Sequence, residues 1–371
     1  MKLKLLLTIF LSVTSLSVLA EIVTDGTLGQ KLNLSGPNFQ ITPDLGQQHG
    51  GNLFHSFQDF NLNSLESATF SGPNNINSII SRVTGGNPSN INGLIRSTIP
   101  NADMYFLNPY GIMFGPNAKL DVQGGFHTST ADYLKLGEDG RFDVRNPNDS
   151  LLTVAPVSAF GFLTDNPAPI NIDNSKLSIP DGKTFSFVSG DLNIKGEDFF
   201  YSADWFTRPF KMDIEDEKSA LIETKDGHVD LVSFSESGEV QKLGNGLKIT
   251  DKITGGKINL TNTHINLSGD GGAHAFLYGG NINFLSSGIN AEMFGDTENK
   301  TSVDIRADNL MLKNSSIIDV SNARGEGTAG DINIDVSGNF TMSGLHPRSS
   351  AMGKETQKLN MSWVIASALD K

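Results

Sequence analysis

A five-residue pattern recurs along the second half of the chain and constrains its fold more than any other feature. The pattern is glycine, any residue, apolar, asparagine, apolar. Full copies begin at Gly190, Gly256, Gly280 and Gly330, and a degenerate copy begins at Thr301. The starts at 256, 280, 301 and 330 are 24, 21 and 29 residues apart. Self-similarity at such spacings is typical of repeat architectures, in which each repeat is one structural unit.

The two apolar positions of each copy are separated by one residue, so in a strand both side chains point the same way. One strand cannot bury them alone, but stacked copies share a continuous apolar interior. The pattern therefore predicts an all-β chain: a right-handed, single-stranded parallel β-helix of the pectin lyase-like kind, with N-terminal capping strands and hairpin insertions. The asparagine of each copy is expected to point outward or to form a ladder with the asparagine of the next rung.

Composition supports this prediction and narrows the possible partners. The chain has 39 glycines, no cysteine and only 19% charged residues, which favours many turns over long charged helices. Its net charge of −13 argues against nonspecific binding to nucleic acid or to anionic lipid, since both favour basic surfaces. We therefore expect no nucleic-acid partner and no stable membrane insertion.

Residues 1–20 have the features of a secretory signal peptide. Lys2 and Lys4 supply a positive start, residues 5–13 form a short apolar run, and small residues precede an expected cleavage before Glu21. A membrane anchor is the alternative, but spanning takes about 20 apolar residues. The sequence favours a cleaved signal and a chain that leaves the inner membrane.

A tight turn is predicted between two apolar runs, Met104–Leu107 and Ile112–Gly115. Asparagine suits the first position of a type I turn, proline the second and glycine the fourth, and the chain has Asn108, Pro109 and Gly111 there. On its own such a tetrapeptide indicates only a corner between two buried strands.

The surroundings of this turn carry more information. Residues 78–95 lie upstream, and residues 115–122 and 124–130 lie downstream. This ordered set resembles the N-terminal secretion domain of filamentous haemagglutinin-like exoproteins, the secreted members of two-partner secretion systems. The resemblance covers about residues 21–140.

Individual motifs of that family match unevenly. The Asn-Pro-Asn-Gly-Ile motif is met at four positions and departs at Tyr110, and the Asn-Pro-Asn-Leu motif is met only at Pro73 and Asn74. The form Phe-x-x-Phe-x-Leu is met by Phe57, Phe60 and Leu62. The binding residues that the resemblance implies, as a secretion motif, are Asn108, Pro109, Gly111 and Ile112.

The resemblance also implies a function. It predicts export across the inner membrane and recognition by the periplasmic domains of a dedicated outer-membrane β-barrel transporter. The product is expected to be secreted or held at the cell surface and to act in adhesion, with a host or cell-surface receptor or glycan as a further partner. Whether the Asn108 motif is read by the transporter or serves only the fold is open at this point.

The predicted organisation follows from these features. After the signal peptide come a secretion domain at 21–165, with its core at about 21–140, and β-helix repeats at 166–345. An aromatic and acidic stretch suggests an insertion at about 196–250. Residues 346–371 no longer follow the repeat, and a truncated or frame-shifted end is one hypothesis for them.

Two other function classes are alternatives for such a chain, a secreted polysaccharide lyase or hydrolase and a carrier of a contact-dependent toxin. A lyase or hydrolase would need clustered acids, and the candidates are Asp304, Asp319, Asp331 and Asp335. No Gly-x-Ser-x-Gly elbow and no C-terminal toxic domain is visible. A metal site at His49 and His55 is disfavoured, since zinc takes three or four convergent ligands. We expect no catalysis, no cofactor and no metal.

Overall fold

The computed structural model describes residues 21–197, 202–203, 212–213, 219–244, 246–249, 253–295, 301–314, 316–322, 328–343 and 363–365. The predicted signal peptide, most of the aromatic and acidic stretch after residue 197, and most of the C-terminal segment lie outside the described residues. Among those residues there are strands and two 3₁₀ turns, Pro43–Leu45 and Pro147–Asp149, but no α-helix.

The chain folds as a parallel β-helix with three faces. Strands of the first face pair in parallel with their counterparts on the neighbouring rungs. They are β4 (Asn52–Phe60), β6 (Ser78–Val83), β9 (Asp103–Leu107), β12 (Phe126–Ser129), β18 (Thr184–Ser189), β23 (His228–Ser233), β28 (His274–Leu285), β30 (Ser302–Lys313) and β32 (Asp331–Val336).

The second face is shorter in each rung and follows directly in the chain. The long strands β28 and β30 continue onto it, where they pair with β26 (Lys257–Thr261) and β33 (Phe340–Ser343). Its other strands are β7 (Ser89–Ile91), β10 (Ile112–Phe114), β16 (Ile170–Asp173), β19 (Leu192–Lys195), β26 (Lys257–Thr261) and β33 (Phe340–Ser343).

The third face closes each rung and consists of two sheets. The first contains β2 (Asn38–Ile41), β5 (Ser67–Phe70), β8 (Leu94–Ser97) and β11 (Lys119–Asp121). The second contains β17 (Lys176–Ser178), β22 (Ala220–Glu223), β27 (Thr263–Asn266), β29 (Gly288–Asn290), β31 (Ile317–Asp319) and β34 (Trp363–Ile365).

Antiparallel strands cover the solenoid in two places. β1 (Ile22–Thr24) and β3 (Gly46–His49) pair antiparallel with β4 and cap the first rung. A five-stranded antiparallel sheet, here called the cover sheet, packs on the outside of the first face. Its strands are β13 (Tyr133–Leu136), β14 (Gly140–Asp143), β15 (Val157–Phe162), β24 (Gly238–Leu243) and β25 (Gly246–Lys248). A further short pair, β20 (Ser202–Ala203) and β21 (Met212–Asp213), is also antiparallel.

The interior is mostly apolar because inward positions stay in register from rung to rung. One column of inward residues contains Ile79, Met104, Phe126, Phe185, Val229, Ala275, Val303 and Ile332. Every member except Ile332 is buried, and full burial of a large apolar side chain contributes about 1.5–3 kcal/mol.

Asparagines form the expected ladder on the outside of the second face. The side-chain Nδ2 of Asn193 donates to the Oδ1 of Asn171 at 2.9 Å, and Asn259 donates to Asn193 at 2.8 Å. Asn283 continues the series by donating to Asn259 at 2.9 Å. Each amide thus satisfies its neighbour, which helps to keep successive rungs in register.

The pentapeptide copies do not all lie on one face, however. Those at Gly190, Gly256 and Gly280 stack on the second face, whereas those at Thr301 and Gly330 stack on the first. The 21-residue interval between 280 and 301 is therefore a step from one face to another, not a rung. Pattern alone could not separate the faces, since both require the same alternation of inward and outward residues.

Left-handed residues mark the corner between the second and third faces. Asn174, Asn262, Ser286 and Asn314 have φ values of 54°, 48°, 48° and 53°. Asparagine tolerates this region better than most residues because its side chain can bond the local backbone. Three of the four left-handed residues at this corner are accordingly asparagines.

Three features of the structure concern the predicted boundaries. Residues 21–165 and the repeats share one continuous solenoid, because β12 pairs directly with β18. The strands β13, β14 and β15 of the cover sheet lie between these two in the sequence. The insertion predicted at 196–250 is interrupted by β22 and β23, which are ordinary parallel rung strands. Within the segment predicted to be atypical, Trp363–Ile365 pairs in parallel with Ile317–Asp319 and so extends the third face.

Candidate functional site

The predicted turn lies at the corner between β9 on the first face and β10 on the second. The backbone N–H of Gly111 donates to the carbonyl oxygen of Asn108 at 3.1 Å, which closes the turn. The Oδ1 of Asn108 accepts the N–H of Tyr110 at 2.9 Å. Gly111 has a φ of 116°, a conformation that other residues rarely adopt. These contacts account for asparagine first and glycine fourth.

Asn108 also joins three successive rungs. Its Nδ2 donates to the carbonyl oxygen of Asn87 and to the Oγ of Ser89, both at 3.0 Å, in the corner of the preceding rung. Its backbone N–H donates to the carbonyl oxygen of Ser129 in the next rung, also at 3.0 Å. The side chain has no exposed surface, so all of its polar atoms serve contacts within the fold.

The other motif residues are buried as well. Ile112 and Pro109 both pack away from solvent. The folded turn presents two side chains outward. Tyr110 is partly exposed, and Met113 in β10 has 43% of its surface exposed. A partner that meets the folded domain therefore contacts these side chains rather than those of the four matching motif residues.

Tyr110 connects the turn to the cover sheet. The guanidinium carbon of Arg145 lies 5.0 Å from the centre of the Tyr110 ring. Arg145 also forms an ion pair with Asp132, whose other carboxylate oxygen accepts the N–H of Leu163. The one position at which the motif departs from the family pattern is thus a structural contact in this chain.

The remaining motif positions are divided between core and surface. Phe57, Phe60 and Leu62 are buried in the interior, where the Phe57 and Phe60 rings lie 5.1 Å apart. Pro73 and Asn74 occupy an exposed turn between the third and first faces. The two family motifs therefore lie at different corners of the rung, and in this chain only the first is built into the interior.

Arg82 is a buried contact point that the sequence pattern did not reveal. Its guanidinium donates to the Oγ of Ser56 at 2.7 Å, the Oγ1 of Thr27 at 2.9 Å and the Oγ of Ser150 at 2.7 Å, and to the carbonyl oxygen of Asp143. These partners belong to the first rung, the N-terminal cap, β14 and the loop that follows β14. Burial lowers the pKa of Arg82 to about 10, so it remains charged at neutral pH.

A second buried polar group lies under the cover sheet. The Nδ1 of His127 is 3.0 Å from the Oγ of Ser186, which donates to Asp230 at 3.1 Å. A hydrolytic triad needs histidine between the other two, as the base that activates serine. Here serine lies in the middle and all three are fully covered, so the group is structural.

The four acids that are candidates for a carbohydrate-cleaving site do not all lie on one face of the solenoid. Asp304, Asp331 and Asp335 lie on the outside of the first face, whereas Asp319 is buried on the third face against Ser321. Within the described ranges, no group of three or more histidines, aspartates or glutamates is arranged to hold a metal ion. In the same ranges no helix has the length and apolar character that crossing a bilayer requires.

We expect the folded chain to lose stability in acid, and His55 provides a test. Burial lowers the pKa of His55 to about 4, against 6.5 when exposed, so unfolding takes up a proton between those values. The stability contributed by neutral His55 is fully present above pH 6.5 and is lost as the pH falls toward 4. The slope is about 1.4 kcal/mol per pH unit. Burial also lowers the pKa of His127 to about 4, so His127 adds to the loss of stability in acid. Asp230 has the opposite effect on stability, because burial raises its pKa to about 7.

Urea unfolding at several pH values checks this expectation. In a His55→Phe variant the free energy of unfolding should fall less steeply as the pH is lowered. The difference in slope between pH 6.5 and 4 should correspond to about one fewer proton taken up on unfolding. His49→Gln serves as the control, because His49 is only partly buried at the cap. Equal slopes for wild type and His55→Phe would contradict the assignment.

Comparison with known proteins gives one family and two solved structures. A family model described as the TPS secretion domain matches residues 20–284. The HMW1 secretion domain from Haemophilus influenzae is 16% identical, with 94% of this chain and 80% of that chain covered and a TM-score of 0.42. The filamentous hemagglutinin secretion domain is 12% identical, with coverages of 87% and 99% and a TM-score of 0.43. The search of curated proteins gives no match.

Proposed function

Since this chain belongs to the TPS secretion domain family, we propose that a dedicated outer-membrane β-barrel transporter with periplasmic domains recognises its N-terminal region and exports it. The family membership makes the chain a secreted, non-enzymatic exoprotein of a two-partner secretion system. The observation that carries the proposal is the family match, which begins at the expected signal cleavage and runs through most of the solenoid.

The motif residues would act chiefly through folding. Asn108 and Ile112 are buried in the folded domain, so a transporter can contact their side chains only before the corner has formed. An unfolded segment could add as a strand to a sheet edge of the transporter's periplasmic domains. Once outside, formation of the corner would join three rungs, and each further rung would bury apolar area and favour outward movement.

Co-expression tests the export step. The chain, with residues 1–20 intact, is expressed in a Gram-negative host with or without an outer-membrane transporter of the two-partner secretion type. We expect the chain in the medium only when the transporter is present, starting at Glu21 if the signal peptide is cleaved as predicted. Equal release without the transporter would overturn the proposal.

Adhesion is the downstream role we propose for the exported chain. Its support is the resemblance of residues 21–140 to haemagglutinin-like exoproteins, together with a net charge of −13 that is compatible with an extracellular protein. The two strains of the export experiment also test this role, by their adherence to host cells. Equal adherence would remove it.

A further inference from the structure

Asp230 is a carboxyl group buried beneath one edge of the cover sheet. It lies in β23, and none of its surface is exposed. The edge strand β25 passes directly over it, since a Cβ placed on Gly246 would lie 3.8 Å from the Oδ1 of Asp230. Within the described ranges β25 pairs with β24 alone, so these two strands, here called the arm, cover the carboxyl group as one unit.

This carboxyl group has fewer partners than a buried charge requires. Its Oδ2 accepts the hydroxyl of Ser186 at 3.1 Å, whereas its Oδ1 is buried and has no hydrogen-bond partner among the residues that the structure describes. In the same part of the chain, no lysine or arginine forms an ion pair with Asp230. An ionised carboxylate in such a place is costly, and a buried acid commonly takes up a proton instead.

The neighbouring rungs do not supply a compensating positive charge. The register partners of Asp230 are Ser186 in β18 and the apolar Phe276 in β28. Two rungs away, the Nδ1 of His127 is 3.0 Å from the Oγ of Ser186, and the His127 ring stacks on Tyr105 at 4.4 Å. Burial lowers the pKa of His127 to about 4, so this ring is neutral at pH 7.

The arm itself contributes two groups that favour the charged form of Asp230. They are the backbone N–H of Leu247 in β25 and the ammonium group of Lys242 in β24, whereas Lys248 in β25 is exposed. Burial nevertheless raises the pKa of Asp230 to about 7, because the loss of hydration outweighs these two groups and the hydroxyl of Ser186. Closure of the arm therefore favours the protonated form of the carboxyl group.

We propose that Asp230 makes the docking of the arm on the solenoid depend on pH: the protonated carboxyl group keeps the arm closed, and ionisation loosens it while the rungs beneath stay folded. An open arm gives the orphaned Oδ1 access to water, which solvates the charged form. Val240 of β24 and Leu247 of β25 pack against the apolar cluster under the cover sheet, so loosening uncovers an apolar surface there.

The direction of the effect follows from proton linkage. An open arm returns Asp230 toward its ordinary pKa of 3.8, so opening releases a proton when the pH lies between 3.8 and about 7. The stability that the protonated group gives to the closed arm is fully present below pH 3.8 and is lost as the pH rises to about 7. Each pH unit within this window makes opening about tenfold more favourable, and above it no further change is expected.

Hydrogen exchange of the purified chain between about pH 5 and pH 8 tests the proposal, with rates corrected for the intrinsic pH dependence of amide exchange. Protection of the amides in β24 and β25 should fall about tenfold per pH unit up to about pH 7 and then level off. Protection in the rung strands β18 and β23 should not follow this course. In Asp230→Asn, whose amide cannot ionise, the protection of the arm should not fall in this window. The two proteins share His127, so its titration cancels in the comparison.

Glu239→Gln is the matched control. Glu239 also lies in β24, but it contacts Tyr133 and Lys135 on the outer side of the cover sheet, so this variant should keep the pH dependence of the wild type. The wild type alone can overturn the proposal, which guards against a variant that fails to fold. Protection of the arm that stays constant or rises from pH 5 to 7 would do so, as would an equal fall in β18, which indicates global unfolding. An unchanged pH dependence in Asp230→Asn, folded by circular dichroism, would equally overturn it.

Discussion

Replacing Arg82 with alanine is expected to lower the free energy of unfolding by about 3–5 kcal/mol, the usual cost of breaking a buried charged network. The side chain has no exposed surface. Its removal leaves Ser56, Thr27, Ser150 and the carbonyl group of Asp143 without their charged donor. Ser56 and the carbonyl of Asp143 are buried, and buried acceptors without a donor cost more than the net value of the bonds that are lost.

The same substitution should also loosen the N-terminal cap and the cover sheet together. Thr27 lies in the cap and Asp143 in β14, and Arg82 contacts both. Urea unfolding of purified protein measures the loss of stability. Hydrogen exchange should show faster exchange in both segments, whereas exchange that increases in only one of them would show that Arg82 does not couple them.

Arg96→Ala is the matched control for Arg82. Arg96 pairs with Asp121 at 2.6 Å, but the two side chains are 44% and 47% exposed. Exposed ion pairs contribute about 0–1 kcal/mol, so this variant should remain close to the wild type. Equal losses in Arg82→Ala and Arg96→Ala would contradict the role assigned to burial.

Replacing Asn108 with alanine should lower the free energy of unfolding by roughly 2–4 kcal/mol. The substitution removes three hydrogen bonds made by a fully buried side chain, to the carbonyl of Asn87, to Ser89 and from the N–H of Tyr110. Each is worth about 0.5–1.5 kcal/mol, and the groups left unpaired add to the loss. Asn117→Ala, on an exposed turn, should change stability by less than about 0.5 kcal/mol.

Export assays with these variants separate folding from recognition at the motif. If Asn108 acts through the fold, Asn108→Ala should lose secretion in proportion to its loss of stability. The ratio of the two losses should then be the same as in Arg82→Ala. A much larger secretion defect than that of Arg82→Ala would indicate direct reading of Asn108 by the transporter. Normal secretion of Asn108→Ala would remove its proposed role in export.

Local features of the sequence were sufficient to predict the β-helix architecture and the turn at Asn108. Alternating apolar residues around asparagine predict outward-facing ladders and an apolar interior, and the structure contains both. Asn108 and Gly111 identify the turn because their side-chain chemistry and backbone freedom are properties of single residues. The family resemblance, confirmed by the TPS secretion domain match, also rests on contiguous motifs.

Which residues meet across rungs was decided only by the tertiary structure. Arg82 contacts Ser150 from 68 positions away, and His228 meets His274 across an excursion that forms part of the cover sheet. The repeat at 301 resembles that at 280 yet lies on another face. The physical reason is that the alternation of apolar and polar residues in one strand specifies only which side chains point inward and which outward. Which residues on different rungs become neighbours depends on the register between strands and on the length of chain that leaves the solenoid between them. That pairing is set by the backbone hydrogen bonds of the whole solenoid.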